Sequence, residues 1–188
     1  VVRRADGGSV TPASDGGAVL TPSDGGTVAY QDCAAPADGG APKSNLIVMN
    51  PQSGAITKRI DLACFAENPG YPRPSAVVAA QGKVYVALQD FDAFFSNFKN
   101  GKLVVLDPNA DRVLKKIDLT KKNISDVRVT LSGLIFVVSQ GTLGLDFPGF
   151  TVEPELTGGV DIIDPATDTL VRSIDDDTFG GNVTKVDI

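Results

Sequence analysis

Three stretches of this chain lie over one another position by position: MNPQSGAITKRID from Met49, LDPNADRVLKKID from Leu106 and IDPATDTLVRSID from Ile163. The interval is constant: Asn50, Asp107 and Asp164 are evenly spaced, and Asp61, Asp118 and Asp175 repeat the same spacing. A partial copy, VVRRAD, begins at Val1 and places Asp6 at nearly the same interval before Asp61. Copies of one unit must bury their apolar faces against each other, so the period restricts the chain to a stacked array.

Each copy reads as a β-hairpin. GKLVVLDPN and RVLKKIDL are short runs rich in Val, Ile and Leu, joined by a turn with Asp or Asn before Pro. Pro51, Pro108 and Pro165 suit the second position of a type I turn. Gly54, Asp111 and Asp168, a few positions further on, tolerate the left-handed conformation that closes such a loop. Upstream of each hairpin lies another pair of apolar runs, AVLTPSDGGTVAY, AVVAAQGKVYVAL and DVRVTLSGLIFVV, with Gly26, Gly82 and Gly133 just before the second run. Four strands per repeat follow, A to D, as an up-and-down meander.

The alternation of GKVYVAL, GKLVVLDPN and VLKKIDL resembles the YVTN-type β-propeller repeat. The likeness covers residues 14–188 in three successive copies, with the name-giving tetrapeptide degenerate as YVAL at 85–88 and FVVS at 136–139. It implies an all-β chain of four-stranded antiparallel blades, of the kind found in bacterial exported and surface proteins and related to seven-bladed lactonase-like propellers. The expected units are the end of a preceding blade or a linker at 1–13, blades at 14–70, 71–123 and 124–180, and the first strand of a further blade at 181–188. Propellers close with roughly 4–8 blades, so about three blades make only a partial ring. The chain, which lacks an initiator Met, is therefore expected to be a fragment of a longer protein or to close its ring with other chains. The triplet DGG recurs from Asp6, Asp15, Asp24 and Asp38, which leaves residues 1–44 open between blade and flexible linker.

In such a meander the B–C and D–A connections emerge on one face. The B–C connections, at 32–44, 90–100 and 141–158, are long and unlike each other, and variable loops on a rigid scaffold are where binding concentrates. The second carries Phe91, Phe94, Phe95 and Phe98, and the third carries Phe147 and Phe150. These six rings either fold over and cap the blade tops or contact a protein, glycan or small ligand. Cys33 and Cys64 fall on the same face, where they could pair as a disulfide suited to an exported, periplasmic or cell-surface protein or remain two thiols.

Much chemistry is missing. The absence of His removes Ser-His-Asp and Cys-His catalysis, and the absence of Trp removes the blade motif of quinone-cofactor propellers. FDAF and SIDDDTF gather acidic residues without an EF-hand pattern, so no metal and no cofactor is assigned. Asp175, Asp176 and Asp177 are expected to be solvated, with a cation site as the other reading. A net charge of −6, with the basic residues Lys58, Arg59, Lys115, Lys116 and Arg172 recurring on strand D, argues against nucleic acid. No apolar run reaches the roughly 18 residues that a transmembrane helix needs. Two functions stay open: a non-catalytic exported scaffold that recognises a partner through the B–C face, or a lactonase- or lyase-like hydrolase whose site lies partly outside this chain. No catalytic residue is assigned.

Overall fold

The computed structural model describes residues 10–12, 18–20, 29–34, 46–68, 71–146, 151–155 and 157–187, and these are mostly antiparallel β-sheet. β1 (Val10–Pro12) pairs with β2 (Ala18–Leu20), and β3 (Leu46–Met49) pairs with β4 (Ile56–Ile60). β5 (Pro74–Ala80), β6 (Lys83–Leu88), β7 (Asn100–Asp107) and β8 (Arg112–Lys122) form a four-stranded sheet in chain order. A second such sheet begins with β9 (Ile124–Val129) and β10 (Ile135–Ser139). The chain then makes a separate hairpin, β11 (Leu143–Asp146) with β12 (Thr151–Pro154). It returns to complete the sheet with β13 (Gly159–Asp164) and β14 (Thr169–Asp175).

The period of the sequence is written into the backbone. β3–β4, β7–β8 and β13–β14 each carry a register shift at the equivalent place, Val48/Met49, Val105/Leu106 and Ile162/Ile163. Their loops end at Gly54, Asp111 and Asp168 with φ of 69°, 54° and 53°, the left-handed geometry that the residue types predict. Just before each Pro the side chain ties down the turn: the Gln52, Asn109 and Ala166 amides donate to Asn50, Asp107 and Asp164 at 2.9, 2.8 and 2.8 Å.

Alternation then builds the layers. Along β7, Leu103 and Val105 point to one side and Val104 and Leu106 to the other, and all four are buried. On the first side they meet Ile124, Val127, Ile135, Val137 and Ile163 of the second sheet, and on the other Leu46, Val48 and Ile60 of the β3–β4 hairpin. Each such side chain contributes about 1.5–3 kcal/mol on leaving water. The far face of the second sheet, with Val138, Val160 and Ile162, is touched by Val183 and Val186 from the residues after β14. Among the described residues no helix is long and apolar enough to cross a membrane.

The first repeat departs from its expected pattern. Its expected A strand, Ala18–Leu20, pairs with β1, while Ala29 and Tyr30 are not in a strand, and the turn between them lies outside the described residues. The edge of β8 captures this segment instead. The Gln31 amide donates to the Val113 carbonyl at 2.9 Å, the Val113 amide donates to Asp32 at 2.9 Å, and Arg112 stacks 4.3 Å from the Tyr30 ring while pairing with Asp32.

Cys33 and Cys64 are joined in a disulfide that fixes this segment to the short 3-10 turn Ala63–Phe65. The bridge closes a sequence separation of 31, for which loss of chain entropy in the unfolded state is worth about 3–4 kcal/mol. Replacing both cysteines with Ser is expected to lower the unfolding free energy by about that amount, measured by urea denaturation with the wild type run oxidised and reduced.

Candidate functional site

The loop between β6 and β7 starts from a buried acid. Asp90 has no solvent exposure, and its carboxylate accepts the Glu67 and Asn68 amides at 2.8 and 2.9 Å. The Asn68 side chain returns two bonds, to the carbonyls of Asp90 at 3.0 Å and Asn97 at 3.1 Å. Both ends of the loop are thereby fastened to the connection that follows β4.

A second acid shapes the tip. Asp92 accepts the Phe94 amide at 3.2 Å, the Ser96 amide at 2.9 Å and the Ser96 hydroxyl at 2.7 Å. The Ser96 hydroxyl and amide hold the Asp92 carboxyl below the usual carboxylate range. Phe91 and Phe98 form a lone β-bridge, and the Phe91 ring lies 4.8 Å from Phe95 and 5.0 Å from Phe98. Beneath them the Arg73 guanidinium sits 4.8 Å from the Phe91 ring, 5.2 Å from Tyr71 and 5.6 Å from Phe95, and donates to the Asp92 carbonyl at 3.3 Å. Arg73, Asp90 and Phe95 all have positive φ, 50°, 52° and 58°. Non-glycine residues in that region cost on the order of 1 kcal/mol or more each, and such strain clusters at binding loops.

The six phenylalanines therefore divide. Phe91 is buried and Phe98 half-buried, which is the capping role, whereas Phe94 and Phe95 stand 87% and 63% exposed. Phe147 and Phe150 lie outside the described residues. The second and third inserts do meet: Phe95, Ser96, Asn97 and Phe98 share a depression of about 190 Å³ with Lys122, Thr142 and Glu155. It is smaller than the roughly 300 Å³ at which small-molecule pockets begin, and suits a single side chain or sugar ring. Below the loop, the Lys102 amine is buried and bonded to Glu67 at 2.6 Å and the Asn100 carbonyl at 3.0 Å. That lysine holds the Glu67 carboxyl below its ordinary range.

Sequence reasoning missed Tyr71, Arg73 and Asn68, which come from the D–A connection and reach the loop only through the fold. The expectation of a solvated Asp176 is corrected: this residue is buried, accepts the Gly158 amide at 3.0 Å and, among the described residues, leaves its other oxygen without a partner. The 3-10 turn Asp176–Phe179 folds it inward over β13. Asp175 pairs with Lys121, and Asp177 is exposed. Among the described residues no group of three acidic or Cys side chains is placed to hold a metal ion.

Compared with known proteins, the chain matches no family model and no curated protein.

Proposed function

We propose that the chain is part of an exported bacterial β-propeller of YVTN type, with the two four-stranded sheets as blades and the β3–β4 hairpin as the outer half of a third. Its work is recognition without catalysis, through the face that carries the long connections. One observation carries this reading: Phe94 and Phe95 are held in water by a loop that is anchored through Asp90 and Asp92. Rigid aromatic rings bury large area at small entropy cost when a partner arrives, which is what interface hot spots do. The disulfide is in keeping with an oxidising compartment. The remaining blades would come from a longer chain or from other chains.

A photocrosslinking residue at position 94, compared with one at position 166 in the β13–β14 turn, tests the reading, with a glycan array as the second probe. Specific adducts or array signals are expected from the wild-type face. The double variant Phe94→Ser/Phe95→Ser should lose no more than about 5 °C in Tm, because Phe94 is almost fully exposed and Phe95 gives up only its packing on Phe91 and Arg73. It should lose at least about tenfold in partner affinity. Adducts at position 166 alone, or chelator-sensitive hydrolysis of lactones by the chain, would overturn the proposal in favour of a different surface or of the hydrolase.

A further inference from the structure

At the turn end of the strands, away from the phenylalanine loop, a cleft of about 740 Å³ runs between the β3–β4 hairpin and the β5–β8 sheet. Leu46, Ile47, Val48 and Met49 all line it in succession. Neighbouring residues of a strand point to opposite faces, so a cavity that touches four in a row lies along the strand's edge. Among the described residues that edge is unpaired: β3 bonds only to β4, whereas the equivalent strands β7 and β13 are each flanked on both sides. Val48 and Asn50 bond toward β4, through the Val48 carbonyl and the Asn50 amide, so the alternate Ile47 and Met49 backbone groups turn toward the cleft.

The neighbouring interface shows what belongs there. On β6, Lys83 and Tyr85 reach across to the β13–β14 turn, where Asp168 accepts the Lys83 amine at 2.7 Å and the Tyr85 hydroxyl at 2.5 Å. Asp111 is the same position one repeat earlier, with the same left-handed backbone, and it lines the cleft. Among the described residues its carboxylate has no hydrogen bond or ion pair. In the first repeat, the residues that align with Lys83 and Tyr85 by their glycines are Thr27 and Ala29, neither a cation nor a phenol, and the phenol of the next residue, Tyr30, donates to Asp107 at 3.0 Å rather than to Asp111.

We infer that the cleft is a strand-accepting groove for an extended segment of another polypeptide, which adds to the free edge of β3 and carries Lys and Tyr at alternate positions. Lys and Tyr meet Asp111, and the alternate apolar side chains fill the space beside Met49 and Val77. Backbone bonds to β3 supply affinity, and the Asp111 contact supplies register and choice of partner.

The probe is a synthetic peptide with the sequence of residues 81–89, QGKVYVALQ, labelled at its N-terminus and titrated into the full chain. Saturable binding below about 100 μM is expected. Asp111→Asn in the chain and Lys→Ala in the peptide should each weaken it by about tenfold, without adding when combined. Exchange of the Ile47 and Met49 amides should be fast in the free chain and slow when peptide is bound. Binding that is indifferent to both substitutions overturns the inference, and so does no binding. Protection of those amides in the free chain overturns it in favour of the chain's own residues in the groove. A dimer that the peptide cannot displace overturns it in favour of a second copy.

Discussion

Gly159→Ala is expected to destabilise the second four-stranded sheet by about 4 kcal/mol or more, enough to unfold a marginal domain at room temperature. A methyl group at this position would lie 2.1 Å from the Ile174 carbonyl oxygen and 3.2 Å from the Asp175 Cα, with φ at 134°. The obstruction is backbone of the paired strand, so no side chain can swing aside, and relief requires the β13–β14 ladder to separate. Gly82→Ala is the control: its φ of 71° is also left-handed, but nothing lies within 4 Å of the added carbon. The cost there is the left-handed preference alone, about 1 kcal/mol. Urea denaturation of both variants, with amide exchange at Val160 and Ile174, checks the difference. Equal midpoints would mean that the close approach of Gly159 to β14 is absent in solution.

Asp90→Ala should come next, at about 3–4 kcal/mol, because it leaves the Glu67 and Asn68 amides aimed into a buried site with no acceptor. The cost is one of abandonment: two donors give up a charged partner in a place closed to solvent. Asp90→Asn keeps one oxygen but presents an NH2 group to the second amide, so about half the loss is expected. The same variants should speed hydrogen exchange across residues 89–99 and weaken partner binding together with Phe94→Ser/Phe95→Ser. Unchanged exchange in that loop would show that the aromatic tip holds its shape without the buried carboxylate.

What the sequence made legible is what the repeat repeats. The turn residues Asn50, Asp107 and Asp164, the left-handed Gly54, Asp111 and Asp168 and the alternating core of β7 are local. Each recurs at the same interval, so a pattern in one copy is checked by the others. The β11–β12 hairpin reads only as a long loop because it occurs in one copy and has no such check, although TLGLD and FTVEP around Pro148 and Gly149 do alternate. In the first repeat, turn chemistry at Asp24 and Gly25 argues for a hairpin; that turn lies outside the described residues, and Gln31 and Asp32 after it bond to Val113 of β8. Arg73 beneath the phenylalanines joins two unlike loops that meet at the open end of the β5–β6 hairpin, one before it in the chain and one after it, and no local signal announces it.

The sheet of β5 to β8 presses on a neighbour through each of its faces. In a stacked array the persistence of a unit depends on the units beside it, so among the described residues this one draws on two couplings where the hairpin β3–β4 draws on one. Among the described strands, the amides of β6 and β7, covered on both faces, are therefore expected to be the last to open in hydrogen exchange. A lesion in those two strands is therefore expected to weaken both couplings together, whereas a lesion in β3 or β4 weakens only the one that the hairpin makes with this sheet.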